Sequence, residues 1–277
     1  MESNIEINLR SIDAFKHIGD SSLKEIEQEA EVINYPIGQN ICPPNIIPNK
    51  ILVILSGEAR LLNTSKTNSN QTIARLTSGS FIGLPSLLRV EGCEYVSAST
   101  SVMVLTISDS LILSLYKKEE SFKNWCNEQI YICEASRIAT DFYEKNARIE
   151  LSLRDSIELV NKNLSLKLIN TNTFLKTKAN NIYIIGSANV IDKEVGDLIC
   201  IDEVIKTRGP LPARIFELPE SIYNMFNEDQ NNTIDIKNKD ILENSTTLSI
   251  QTAESLISQS SLDFGQYYEN KEFKLIK

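Results

Sequence analysis

From Ile12 to Ala30 apolar residues recur at helical spacing, at Ile12, Phe15, Ile18, Leu23 and Ile26, with charged residues between them. Asp20-Ser21-Ser22 reads as a helix start ahead of Leu23. The period then shortens. Val32 to Tyr35 is a predicted strand closed by the turn Pro36-Ile37-Gly38, and Cys42-Pro43-Pro44 with Pro48 keeps the next segment out of a helix. Ile51 to Leu55 is a continuous apolar run, as in a strand buried on both faces, and Ser56-Gly57 turns it. Ala59 to Leu62 leads outward, Thr64 to Gln71 is a polar hairpin loop, and Ile73 to Leu76 returns. After Leu76-Thr77-Ser78-Gly79-Ser80-Phe81-Ile82-Gly83, Val96 to Ile107 supplies the last strands. β-branched runs punctuated by glycines at these intervals predict a small antiparallel β-roll.

Ser108-Asp109-Ser110 caps a helix beginning near Leu111. Up to about Ala147 the pattern stays helical, with neither proline nor glycine, and Leu111, Leu115, Phe122, Trp125, Ile130, Cys133, Ile138 and Phe142 face inward. One helix is expected, or two with a bend near Lys117-Lys118-Glu119-Glu120. Beyond it the chain echoes itself. Asn181 to Ser187 resembles Ile51 to Gly57, Gly196-Asp197-Leu198-Ile199 resembles Gly79-Ser80-Phe81-Ile82, and Ile215 to Ile222 resembles Leu105 to Leu111. Short apolar strands also match by chance, but strands are predicted here without the repeat, because Leu164, Leu166 and Leu168 alternate with Ser165 and Lys167. After Phe226 the chain turns polar, with a weak helix around Thr252 to Ser258.

The 277 residues suggest two domains or one large one, and 42% hydrophobic content suffices for real cores. A net charge of -9 argues against a general nucleic-acid binder. Nothing approaches the roughly 18–20 apolar residues that cross a bilayer, and the start Met1-Glu2-Ser3-Asn4 is unlike a signal segment. Five scattered cysteines, Cys42, Cys93, Cys126, Cys133 and Cys200, fit buried thiols in a reducing compartment better than disulfides or zinc. One histidine, His17, is too few for most metal sites and His-dependent catalysis, and a surface or packing role suits it. No enzyme, metal or cofactor is expected.

The order of turns and strands from Pro36 to Ile107 resembles the cyclic-nucleotide-binding domain family. The resemblance implies a short helix whose first backbone N–H groups cradle a cyclic phosphate. It also implies a glutamate on the ribose hydroxyl and an arginine about ten residues later on the phosphate. Phe81-Ile82-Gly83 matches the turn and Leu84-Pro85-Ser86-Leu87-Leu88 the cradle, but Leu84 stands at the glutamate position and Gly92 or Cys93 at the arginine position. Losing one partner of a buried charged pair costs about 2–5 kcal/mol, enough to take a micromolar site to millimolar or worse. Glu91 and Glu94 lie close by in sequence, where a carboxylate repels a phosphate. Arg89 is the one substitute within reach; the alternative is a solvated or salt-bridged surface arginine. The degenerate pocket is therefore drawn from Phe81, Gly83, Leu84, Ser86, Arg89 and Cys93. In the resembled family the helix after the roll closes over the ligand, although packing alone also accounts for its apolar stripe.

Gly83 to Arg89 followed by Gly92 to Ser99 resembles, more narrowly, the degenerate N-terminal modules of some cyanobacterial ABC exporters that also carry a peptidase domain. This implies a docking or regulatory role through protein contacts or covalently linked transporter domains. The chain would lie in the cytoplasm, at the inner face of the membrane through the linked transporter. The exporter's own activities cannot lie here, since the chain has no Walker A pattern, membrane span or Cys/His peptidase pair. The alternative is a nucleotide-responsive transcription regulator of the catabolite-activator type, which needs a helix-turn-helix after the long helix. A cupin-type enzyme is the third reading, and it lacks metal ligands. Arg208 and Arg214, around Gly209-Pro210-Leu211-Pro212, are anion-binding candidates, against a plain exposed interdomain loop. The fold expected is α+β: an antiparallel double-stranded β-roll of cyclic-nucleotide-binding or cupin-like kind with flanking helices over 1–148, a smaller β-rich domain over 149–226, readable as a truncated second roll, and a polar linker or tail over 227–277.

Overall fold

A computed structural model describes residues 8–63, 71–145, 151–199 and 203–227. The hairpin loop expected after Leu62 falls largely outside them, and so do Cys200 and the tail with its weak helix. Two 3-10 turns, Leu9–Ser11 and Asp13–Phe15, precede α1 (Asp20–Glu29), so the predicted helix begins later than its apolar spacing suggested. His17 is exposed between the second turn and α1.

The roll is formed by β1 (Glu31–Tyr35), β2 (Asn40–Cys42), β3 (Lys50–Ser56), β4 (Ala59–Leu62), β5 (Thr72–Leu76), β6 (Phe81–Ile82), α2 (Leu84–Arg89), β7 (Val96–Ala98) and β8 (Val102–Ser108). They make two four-stranded antiparallel sheets, β1-β8-β3-β6 and β2-β7-β4-β5. Period-two alternation sends Leu52 and Ile54 of β3 inward, to meet Leu61, Val96 and Ala98 of the other sheet. Ile51 and Val53 point the opposite way, under the N-terminal turns and the helices that follow the roll. The apolar run at Ile51 to Leu55 is continuous because its sheet is covered on both faces.

Three helices follow: α3 (Asp109–Lys118), α4 (Glu120–Glu128) and α5 (Ile132–Lys145). The Ser108 hydroxyl accepts from Leu111 N–H at 3.1 Å, the expected cap. The break at Glu119 falls where a bend was expected, but the second, at Gln129-Ile130-Tyr131, has no proline or glycine to announce it. A tertiary partner stands at each. Glu119 accepts from Gly19 N–H and the Ser22 hydroxyl, while at the second break Glu134 accepts from Tyr131 N–H and Arg214 donates to the Gln129 carbonyl.

Beyond α6 (Leu153–Asn163) come β9 (Ser165–Ile169), β10 (Thr173–Leu175), β11 (Asn181–Ile185), β12 (Glu203–Ile205), β13 (Ala213–Pro219) and α7 (Glu220–Met225). Their sheets are β9-β13-β11 and β10-β12, and an isolated bridge joins Ile184 to Leu198. The order parallels the roll, with Leu198 standing where β6 does. Gly79 N–H donates to the Ile54 carbonyl and Ile54 N–H to that of Ser80; Gly196, Ile185 and Asp197 repeat this pattern. Thr77 N–H donates to the Ser80 hydroxyl, and Glu194 N–H to the Asp197 carboxylate. Among the described residues, the β4–β5 hairpin and α2 have no counterpart in this second set.

Glu217, buried on β13, is the polar hub of the second set. Its carboxylate accepts from Asn181 at 2.6 Å and the Tyr183 hydroxyl at 3.0 Å, and lies 2.9 Å from the Lys167 ammonium. Burial alone would raise its pKa, but hydrogen bonds from Lys167, Tyr183 and Asn181 outweigh it and lower it to about 2. A carboxylate held low in the folded state stabilises the fold above its ordinary pKa of 4.5 and loses that contribution as pH falls toward about 2. Glu217→Gln is expected to cost about 2 kcal/mol at neutral pH, after discounting the solvent-screened lysine, and to flatten the acid limb of the stability curve. Urea unfolding at several pH values below 5 checks this.

Candidate functional site

The site is built around the start of α2. Gly83 must be glycine twice over: its φ is +89°, and a Cβ there would lie 2.5 Å from Pro48 Cγ. Pro85, near the first helical position, suits a place with no intrahelical donor to lose. Leu84, Leu87 and Leu88 are buried in the core beneath the roll, anchoring the helix on its sheet. Phe81 belongs to the same core, its ring 5.7 Å from that of Phe15 and 5.1 Å from that of Trp125. Two of the pocket candidates, Phe81 and Leu84, are thus packing residues.

What faces the cradle is Glu94, buried to 2% exposure. Its carboxylate accepts from Gly83 N–H at 2.9 and 3.0 Å, from Ser86 N–H at 3.2 Å and from the Ser86 hydroxyl at 2.7 Å. The helix-start donors that would serve a bound phosphate in the resembled family are satisfied by the chain's own anion. Burial pushes the Glu94 carboxyl above its ordinary pKa; the hydrogen bonds from Gly83 and Ser86 pull it back, and the Glu134 carboxylate pushes the same way as burial. Sequence reasoning placed Glu94 nearby only as a repelling charge. Gly83 and Ser86 do come together here, around a residue that had not been counted with them.

Of the two positions expected for the arginine, Gly92 is closed by packing and the other holds the half-buried Cys93. A Cβ on Gly92 would stand 2.2 Å from Ile46 N and 2.4 Å from the Asn45 carbonyl carbon, so no side chain fits there. Arg89 is neither a cradle cation nor a surface arginine. It is 2% exposed, and its Nε donates to the Gly186 carbonyl at 2.6 Å. In return, Ala188 N–H donates to the Arg89 carbonyl at 2.8 Å. Burial pulls the guanidinium pKa down, and Cys93, Glu134, Glu91 and Cys133 more than offset this, so it stays charged. Cys93 is half-buried; its N–H donates to the Ser86 hydroxyl at 3.1 Å and its sulfur lies 3.6 Å from that of Cys133.

The two anion candidates have separate surroundings. Arg214 is buried, and its Nε and Nη2 donate to the two Glu134 oxygens at 2.6 and 2.8 Å. Arg208 is exposed and lines a cleft of about 860 Å³ with Glu91, Gly92, Arg137 and Lys193, beside the end of α2. Arg214 is not among the lining residues. Among the described residues no cluster of three or more His, Cys, Asp or Glu could hold a metal ion, and no helix is long and apolar enough to cross a membrane.

Residues 32–119, from β1 through the residue after α3, match the family model of the cyclic nucleotide-binding domain, a family regulatory in kind. No curated protein matches the chain. Among solved structures, cAMP-bound PfPKA-R (141–441) is similar at 14% identity over 84% of this chain and 83% of its own, with a TM-score of 0.38. The sensor domain of the transcriptional regulator DNR from Pseudomonas aeruginosa is similar at 10% identity over 52% of this chain and 91% of its own, with a TM-score of 0.39. The Thermus thermophilus catabolite activator protein is similar at 17% identity over 54% of this chain and 85% of its own, with a TM-score of 0.36. At such scores these likenesses say nothing about this chain's ligand or partners.

Proposed function

We propose that the chain is a non-catalytic regulatory or docking module that keeps the scaffold of a cyclic-nucleotide receptor and works through protein contacts. The observation that carries this reading is Glu94, whose carboxylate already accepts from Gly83 and Ser86 at the head of α2. A second anion would have to displace a buried one, and Arg89 donates to the Gly186 carbonyl instead of the cradle. Residues 1–148 then form the roll with its helices, 149–226 a truncated second roll, and 227–277 a polar linker or tail. The truncation is supported by the shared sheet order and the matched turns at Gly79 and Gly196. Among the described residues the second set has no counterpart of the α2 cradle, so on this reading it serves packing. Arg89 and Arg214 both reach across this junction, which fits a unit that presents one joined surface.

Calorimetry with cyclic AMP and cyclic GMP tests the reading. No saturable heat is expected for either, and Arg89→Ala is expected to change nothing in that titration. Tight binding that is lost in Arg89→Ala would overturn it.

The same reading places the chain in the N-terminal region of a peptidase-containing ABC exporter, in the cytoplasm at the inner face of the membrane. The support is the resemblance over Gly83 to Ser99 alone. A transcript continuing in frame past Lys277 into spanning and ATP-binding segments is expected; a stop there, with no transporter encoded beside it, would remove this part. The catabolite-activator alternative needs a helix-turn-helix after α5. The described residues there form α6, two small sheets and α7 instead.

A further inference from the structure

Cys93 and Cys133 lie forty residues apart in sequence with their sulfurs 3.6 Å apart. Cys93 sits in the loop between α2 and β7, its backbone held by the Ser86 hydroxyl, and Cys133 is the second residue of α5, buried to 5% exposure. Each immediately precedes a buried glutamate that organises the region. Glu94 fills the α2 cradle, and Glu134 holds Arg214 of the second strand set. Beside the pair stands the Arg89 guanidinium, whose Nη1 has no hydrogen-bond partner.

We propose that Cys93 and Cys133 are a thiol pair that a hydroperoxide closes into a disulfide, tying α5 to the cradle loop. The Cys93 thiolate attacks the peroxide; the S–O bond forms, the O–O bond breaks, and two electrons pass from sulfur to the departing oxygen, which leaves as hydroxide or alkoxide and takes a proton. The Cys133 sulfur then attacks the sulfenic sulfur, the S–S bond forms, the S–O bond breaks, and the Cys133 proton leaves with the hydroxide as water. The sum is two thiols and one hydroperoxide giving one disulfide, one alcohol or water, and one water. The order follows from exposure: Cys93 is the half-buried sulfur, whereas burial pushes the Cys133 thiol well above its ordinary pKa and keeps it protonated until its partner is activated. Closing 3.6 Å to the roughly 2.05 Å of a disulfide asks for a shift of only about 1.5 Å. The inference rests on the packing of α5 against the cradle loop and holds whether or not the cradle takes a ligand.

The test treats the native full chain with hydrogen peroxide, denatures it in iodoacetamide and maps the peptides. Cys93 and Cys133 are expected to escape alkylation together and to appear as one cross-linked peptide pair, restored by dithiothreitol. Cys133→Ser is expected to leave a sulfenic acid on Cys93 that dimedone traps, while Cys42→Ser changes nothing. The bond should raise the thermal midpoint by several degrees, reversibly, because it shortens the loops open to the unfolded chain. Alkylation of both cysteines after peroxide, or a bond that maps to Cys42 or Cys200, would overturn the proposal. An unchanged midpoint in the cross-linked protein would overturn its claim that α5 is tied down.

Discussion

Arg214→Ala is expected to destabilise the protein by about 3–5 kcal/mol, the largest loss from any single substitution considered, because it strands a charge. Arg214 and Glu134 have side chains exposed to only 2% and 0%, and they meet as a two-bonded fork at 2.6 and 2.8 Å. A further donor of the guanidinium reaches the Gln129 carbonyl at 2.7 Å, and the ring of Tyr131 lies under it at 5.7 Å. Burial pulls the guanidinium pKa down and the Glu134 carboxylate raises it past the ordinary value, so the guanidinium stays charged. With the arginine gone, Glu134 keeps its bond from Tyr131 N–H but loses its counter-charge. A domain is stable by only about 5–15 kcal/mol, so the loss should appear as a large drop in urea midpoint. The pair need not be stabilising in itself. Arg214→Met with Glu134→Leu removes both charges and fills the space, and is expected to cost far less than either single change. If the double variant loses the sum of the two single losses, stranding is not the cause.

The same pair marks where sequence reading stops. Ile51 to Leu55 announces a doubly covered strand because the whole cause is local: five apolar residues and a turn. Ser108 announces a helix start for the same reason. Gly79 and Gly196 could be matched from their neighbours, and the matched hydrogen bonds show that the likeness extends to backbone detail. At the break from Gln129 to Tyr131 one bond is local, Tyr131 N–H to Glu134, but the other comes from Arg214, eighty-five residues away, and no spacing rule sees it coming. Arg89 is likewise buried by a carbonyl ninety-seven residues on. Polar residues are assigned to the surface by default, and only a distant partner reverses that. Glu94 is the instructive case. Its position next to the expected arginine site is visible in the sequence, and so is its charge. Whether a carboxylate repels a phosphate from outside the cradle or replaces it from within depends on the fold of the loop between α2 and β7. That loop's path is set by Gly92 closing on Asn45 and Ile46.

Glu94→Ala tests whether the proposed silence toward cyclic nucleotides rests on one side chain or on the whole cradle. The substitution leaves Gly83 N–H, Ser86 N–H and the Ser86 hydroxyl without their acceptor, at about 1–3 kcal/mol for a buried group left unmade. Against this stands the burial that raises the Glu94 pKa. A carboxyl raised in the folded state supports stability fully below its unfolded value near 4.5, and that support is lost as pH climbs through the raised folded value. The expected result is therefore pH-dependent: Glu94→Ala costs most in weak acid and least near neutrality, the reverse of Glu217→Gln. Urea midpoints at pH 4 and pH 7 for wild type and variant read the difference; a cost that grows with pH would show that the carboxylate is held by its hydrogen bonds more than it is penalised by burial. If Glu94 alone closed the site, the opened cradle should then take cyclic AMP. It is expected not to. Leu84 lies in the core and offers the ribose nothing, and of the two expected arginine positions Gly92 has no room for a side chain and the other is a cysteine, Cys93. The missing charged partner alone is worth about 2–5 kcal/mol, so the variant should stay silent in the same calorimetric titration. Micromolar binding by Glu94→Ala would mean instead that the protein is a receptor held shut by one side chain.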